Sequence, residues 1–270
     1  MHLAVATFNV HCGVDGWGRP FDVVGACRDL DADVLVLQET WTPEDGIGTA
    51  DQVAGALGYQ VHGTALTTGR LAGPHPGADD RWMPTMGARP ARNALYLDGE
   101  RTMSGAVLAS TRFREARPGA WGVAVLTRVR AQPVEVVELG RMGRDWSARA
   151  AVVVRLPEAG ELTVVGTHMT HLTKGSPVHF RRLARALAPL TAGRPAVLAG
   201  DMNLWGPPLS VLLPGWHRAV RGRTWPAWRP HSQVDHILVQ GAVRVLAGEI
   251  RPDAGSDHRP VVATFRIGTA

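Results

Sequence analysis

One lysine, Lys174, and two cysteines, Cys12 and Cys27, are all that this 270-residue chain holds of those residue types. Two cysteines make no disulfide framework, and both read as small buried hydrophobes. No apolar run approaches the length of a bilayer-crossing helix, so no membrane span is expected. A charged-then-apolar opening segment is also missing, because strand-like sequence begins at Leu3; the expected location is cytoplasmic. No long linker interrupts the chain, which favours one domain covering residues 1–270, and 45% hydrophobic residues suffice for one large core. With lysine nearly absent, the net charge of +5 rests on arginine and is unevenly spread: residues 1–60 hold two basic and nine acidic side chains, so the basic excess lies after them. Such a chain admits a nucleic-acid partner. A solvated arginine face explains the charge equally well. No lysine- or arginine-lined phosphate cup is visible in the sequence.

What is present is a series of short apolar runs flanked by polar residues. Ala196–Ala199 breaks at Gly200 and delivers Asp201 and Asn203, as a buried strand delivers groups to a loop. Residues two apart in extended chain project to one side, so this pair is expected to reach a common oxygen or metal; an Asx turn closing the strand is the plainer reading. Leu3–Ala6 leads to Thr7-Phe8-Asn9, Val34–Leu37 to Gln38-Glu39, and Leu162–Val165 to Thr167-His168. Asp235-His236 opens the run Ile237–Val239, and Ser256-Asp257-His258 precedes Pro260–Val262. Ionisable groups beside buried strand ends are costly unless paired or metal-bound. Six such clusters imply one shared polar site.

Between them the pattern predicts helices over Phe21–Leu30 and Thr49–Leu57, and short strands at near-regular spacing, as in a sandwich of sheets. Ser176-Pro177 reads as a hydroxyl cap and first-turn proline. It opens a helix whose core stripe is Phe180, Leu183, Leu187 and Leu190, with Arg181, Arg182 and Arg185 on the solvated face. Gly69–Arg92 breaks periodicity and reads as a loop, either substrate-facing or a mobile insertion. Arg149 reads either as a site residue or as an exposed strand-edge arginine. Trp225, among Arg218, Arg221, Arg223 and Arg229, reads as a stacking platform or as rim packing.

Taken in order, N, QE, TH, GDxN, DHI and SDH resemble the endonuclease/exonuclease/phosphatase superfamily of metal-dependent phosphohydrolases, from Phe8 to Pro260. Trp121–Arg128 is similar to that family's G-x-A-x-L-S-R strand, and Thr224-Trp225-Pro226 before Asp235-His236-Ile237 to its T-F/W-P…I-D-Y/H-I run. The resemblance implies an α+β fold, the DNase I-like four-layer α/β/β/α sandwich, with two mixed sheets face to face and helices outside. It also implies phosphoester hydrolysis with Mg²⁺ or Mn²⁺. Glu39 would be the principal metal ligand, helped by Asn9 and Asp257. Asp201 would position or deprotonate water, and Asn203 would sit on the phosphate or a second metal. His168 and His258 would contact phosphoryl oxygens, Asp235 would orient His258, and Asn93 would touch the scissile phosphate. His236 is expected to pack, and His171 and His231 are loop histidines near the motifs. The expected activity is that of a monomeric phosphodiesterase or nuclease, nucleic acid slightly ahead as substrate. The alternative is a phosphatase or phosphodiesterase for a small-molecule or lipid-headgroup phosphate.

Overall fold

Strands form where the apolar runs stand, and they assemble into two sheets. The structure, a computed structural model, describes residues 1–16, 18–73, 95–98 and 111–268. The first sheet has the order β12-β13-β1-β2-β5-β3-β4. Its strands are β1 (His2–Asn9), β2 (Val34–Pro43), β3 (Gln60–Leu71), β4 (Leu95–Leu97), β5 (Arg117–Thr127), β12 (Val243–Ile250) and β13 (Val261–Ile267). The second has the order β10-β11-β9-β8-β7-β6. It contains β6 (Gln132–Gly140), β7 (Arg149–Leu156), β8 (Leu162–His168), β9 (Ala196–Asp201), β10 (His217–Arg218) and β11 (Asp235–Gln240). Each sheet is antiparallel except at its centre, where β1 runs parallel to β2 and β8 parallel to β9.

Period-two alternation explains how the layers stack. Val34, Val36, Val123 and Val125 of the first sheet meet Val152, Val154, Val164 and Val197 of the second in an inter-sheet core. The alternate residues Leu35, Leu37, Ala124 and Leu126 face outward onto α1 (Val23–Leu30) and α2 (Thr49–Leu57). On the far side Ala151, Val153, Val165 and Leu198 pack under α3 (Ser176–Thr191) and α4 (Gly206–Leu212). The result is the expected four-layer α/β/β/α sandwich with two mixed sheets face to face. None of the described helices is long and apolar enough to cross a membrane.

The chain threads the first sheet through β5, crosses to build all of the second, then returns for β12 and β13. Its ends meet there: the Ile267 N–H donates to the Met1 carbonyl. Three local readings differ from the structure. Helix α1 starts two residues late, at Val23, because the Asp22 carboxylate caps it by accepting the Gly25 N–H. Ser176 is the first residue of α3 and caps nothing; Gly175, at φ 106°, holds the cap position that left-handed backbone demands. Gly69–Leu71 is strand rather than loop, paired with Leu95–Leu97, while residues 74–92 of the predicted loop, and Asn93, lie outside the described residues.

Candidate active site

All six polar clusters arrive at one rim of the sandwich. Parallel pairing sets Asn9 beside Gln38, and His168 beside Asp201. Antiparallel pairing sets Asp235 beside Asp201. The return into β13 brings up Ser256-Asp257-His258, anchored where the Ser256 hydroxyl donates to the Asn9 carbonyl at 2.7 Å.

Glu39 reaches the rim through a bulge. Strict alternation would send it to the helix side with Leu35 and Leu37. The register against β5 slips between Gln38 and Thr40, and Glu39 adopts φ 54°. A bulge re-aims a side chain in just this way. The Asn9 amide nitrogen then donates to Glu39 Oε1 at 3.2 Å and to Asp201 Oδ2 at 3.1 Å, while Asn9 Oδ1 accepts the His11 N–H at 3.0 Å. Asn9 is thus a clamp joining carboxylates of the two sheets. Direct metal ligation would need the oxygen that His11 already engages.

Asp201 is buried at the centre. Burial and the neighbouring Asp235 push its carboxyl up to about 7, against the pull of His258 and the Asn203 N–H. Asn203 does not reach the site by strand alternation. Its N–H donates to Asp201 Oδ1 at 2.8 Å in an Asx turn at φ 49°, so the plainer turn is present and it also builds the site. The Asn203 amide nitrogen donates one hydrogen to the Met169 carbonyl at 3.0 Å and faces His168 Nε2 at 3.1 Å. Burial, then Arg149 and His258, hold His168 well below the ordinary histidine range. The neutral ring accepts from Asn203 and lies 5.0 Å from the Trp121 ring.

His258 is the opposite case. Burial disfavours its charge, yet Asp235 and Asp257 overcome that and hold the ring well above the usual range. Both Asp235 oxygens receive Nδ1, at 2.9 and 3.1 Å, which turns Nε2 toward Asp201, 3.9 Å away. Asp257 stays below the ordinary carboxylate range: burial opposes this, but His11 and His258 prevail, and the Trp225 indole adds a hydrogen bond. Trp225, partly exposed at the rim, packs edge-on to His231 at 5.2 Å and lies 6.5 Å from His258. His236 is fully buried and bonded to the Leu204 and Gln233 carbonyls.

Several site residues carried no signal in the sequence. His11 sits with Nδ1 3.6 Å from Asp257; its spacing of two from Asn9 was the only hint. Asp145 takes Arg149 in a two-point contact at 2.9 and 3.1 Å and stands 3.9 Å from Lys174. Arg149 is therefore buried, not an exposed edge residue, because β7 is flanked by β6 and β8. Arg149 and Lys174 both line a cavity of about 250 Å³ together with Glu39, His168, His171 and Asn203. A basic wall, unseen in the sequence, is present. A larger cavity of about 570 Å³ lies at the opposite pole, around Ala188, Arg194 and Gln240, remote from every titratable cluster above.

Four carboxylates, Glu39, Asp201, Asp235 and Asp257, converge beside His11 and His258, and Asp201, Asp235 and His258 offer ligand atoms within 4.8 Å of one another. His258 Nδ1 is already committed to Asp235, which leaves the half-buried Glu39 and Asp257 as the better outer donors. Hard oxygen donors in such excess fit a divalent cation.

The model of the Endonuclease/Exonuclease/phosphatase family matches residues 6–258. Among solved structures, an endonuclease/exonuclease/phosphatase from Beutenbergia cavernae DSM 12333 aligns with a TM-score of 0.62 at 21% identity, over 99% of this chain and 72% of that one. The human Nocturnin catalytic domain with bound sulfate anion gives 0.62 at 17% identity, over 99% and 94% of the two chains. A mannosyl-6-phosphatase from Bacteroides thetaiotaomicron VPI-5482 gives 0.60 at 16% identity, over 97% and 99%. At these identities the likeness is one of fold. No curated protein matches the chain.

Proposed function

This chain belongs to the Endonuclease/Exonuclease/phosphatase family, whose members are hydrolases acting on phosphoesters, and from that premise we propose that it is a phosphodiesterase dependent on Mg²⁺ or Mn²⁺. The observation that carries the reading is the placing of Asp201: buried where the two sheets meet, gripped from both of them, with burial and Asp235 pushing its carboxyl upward. A base works best when its pKa lies near the working pH. Asp201 takes the proton of the attacking water, and Asn9 and the Asn203 N–H hold its two oxygens in place. His258, kept protonated by Asp235 and Asp257, offers a cationic Nε2 to the phosphoryl oxygens. Neutral His168 and the Met169 carbonyl take the two hydrogens of the Asn203 amide, which leaves its oxygen as the group Asn203 can offer in the cavity it lines. Glu39 and Asp257 would hold a divalent cation, which when bound would neutralise phosphoryl charge and steady the leaving oxygen.

The test is a panel of phosphodiesters and monoesters assayed with Mg²⁺ and with Mn²⁺. Asp201→Asn preserves shape and removes the base, so kcat should fall by about two to four orders of magnitude with KM little changed. Full turnover in excess chelator, or by Asp201→Asn, overturns the reading. Two observations bear on substrate. Exposed Arg221, Arg223 and Arg229 flank Trp225, which suits a nucleic-acid backbone. The small cavity with its basic wall suits a compact phosphoester.

A further inference from the structure

Building on the metal dependence proposed above, we infer that His11 is a ligand of the divalent cation. Its Nδ1 joins Glu39 and Asp257, and the site therefore selects transition-metal ions such as Mn²⁺ over Mg²⁺.

Asn9, the helper that the resemblance implies, is already occupied. Its Oδ1 accepts the His11 N–H at 3.0 Å, and its amide nitrogen is spent on Glu39 and Asp201. One oxygen donor is thereby withdrawn, and the residue that withdraws it is His11. The His11 side chain lines the same cavity as Glu39.

That ring has an orphaned nitrogen. His11 is more than nine-tenths buried, and its Nδ1 is buried without a hydrogen-bond partner. Such a group in a native fold calls for an explanation. Nδ1 stands 3.6 Å from Asp257 Oδ1, too far for a hydrogen bond. Two donors sharing one cation at about 2.1 Å stand about 3.0 Å apart in octahedral and about 3.4 Å apart in tetrahedral geometry. A small movement of either side chain brings the pair to that separation. Burial works against charge on the ring, but Asp257 and then Glu39 raise it above the ordinary histidine range, so both carboxylates act on His11. Glu39 gives only Oε1 to Asn9, and its Oε2 bonds nothing among the described residues. Among those residues only Asp201, Asp235 and His258 bring three donor atoms within 4.8 Å of one another, so the His11 set closes by side-chain rotation. In the other set Asp201 is the proposed base, and His258 Nδ1 is taken by Asp235.

The backbone is strained where it presents the ring. His11 and Cys12, at φ 42° and 58°, are both non-glycine residues in left-handed backbone. Such strain persists only where the surroundings enforce it, and it gathers at functional sites. Here the Gly13 N–H donates to the Val10 carbonyl at 2.7 Å, the Val14 N–H donates to the His11 carbonyl at 3.1 Å, and Cys12 is buried in the inter-sheet core.

Donor chemistry sets the preference. Carboxylate and water oxygens suit Mg²⁺, whereas imidazole suits transition metals. An imidazole nitrogen in place of an amide oxygen therefore favours Mn²⁺ and Co²⁺ against Mg²⁺.

The test reads binding rather than turnover. Wild type, His11→Asn and Asp257→Asn are titrated calorimetrically with Mg²⁺, Mn²⁺ and Co²⁺ at one pH. Asparagine tolerates left-handed backbone, so the turn should survive, and retained Mg²⁺ binding reports an intact fold. Losing even a residue behind a metal ligand costs about tenfold to a hundredfold in affinity. His11→Asn should therefore bind Mn²⁺ and Co²⁺ at least about tenfold more weakly while losing much less for Mg²⁺. Asp257→Asn, which removes a charged donor, should weaken all three. Pulsed electron paramagnetic resonance of bound Mn²⁺ should show a directly bound nitrogen in wild type and none in His11→Asn. Wild type without that nitrogen overturns the ligand, whatever the variant does. Equal losses for all three ions in His11→Asn, unchanged or tighter binding, or a nitrogen signal that survives the change, overturn it too; His11 is then only an ion-pair partner of Asp257. No binding of any ion to wild type overturns the metal premise as well. The expected metal binding with no turnover of any phosphoester sinks the hydrolase reading and leaves the His11 ligand standing.

Discussion

At the scale of single residues, burial favours the neutral form of some histidines, and His236 is the one whose cost can be read in stability. Burial, opposed by Asp235 and the Leu204 and Gln233 carbonyls, lowers it to about 4. The unfolded chain, with histidine near 6.5, therefore binds a proton that the folded chain refuses between about pH 6.5 and 4. Stability is full above that window and falls as pH drops through it, by up to about 3 kcal/mol. Urea unfolding of His236→Phe at pH 7 and pH 4.5 should show a loss smaller than wild type's by that order. Equal losses would mean His236 is not the group responsible. The residues named from sequence did converge: Asn9, Glu39, Asp201, Asn203, Asp235, Asp257 and His258 lie within one network. Their motifs were legible because each is a polar break in an apolar run. Asp145, Lys174 and Trp146 were not, because they lie on a connecting segment after β6 and next to α3, where no periodicity marks a residue that matters only after folding.

At the scale of elements, strand existence was legible from alternation, but the exceptions to alternation were not. The bulge at Glu39 and the Asx turn at Asn203 both depend on positive φ at non-glycine residues, to which composition is blind. Gly200 is the exception that sequence does show. It breaks the 196–199 run, and its φ of 152° together with the Thr167 carbonyl, 1.9 Å from where a Cβ would sit, leaves no room for a side chain. Thr167 faces Gly200 one step before His168 faces Asp201. Gly200→Ala must therefore part β8 from β9 beside the pair that places Asp201, the proposed base. It should cost about 1–3 kcal/mol by urea unfolding. Turnover should fall more steeply than stability, since shifts near 1 Å in a catalytic geometry cost about a hundredfold. Wild-type behaviour in both measurements would discard this account.

At the scale of the molecule, the site is divided between the sheets. Asn9, His11, Glu39, Asp257 and His258 come from the first sheet and the segments leading into it. His168, Asp201, Asn203 and Asp235 come from the second, and Asn9 bridges to Asp201 across 192 residues of sequence. Motif order alone carried no information about this division; it follows from the excursion of the chain into the second sheet and back. The meeting of Ile267 with Met1 makes the chain nearly a closed ring. Joined there by a short linker and reopened in the turn at 128–131, it would become a circular permutant of two consecutive modules, residues 132–240 and then 243–268 followed by 1–127. Each module would own one sheet, with α1 and α2 or α3 and α4 against it, and half of the candidate site. Such a permutant should keep the native circular-dichroism spectrum and the proposed phosphoester hydrolysis at the wild-type level, and its two modules, made separately, should be inert alone and active when mixed.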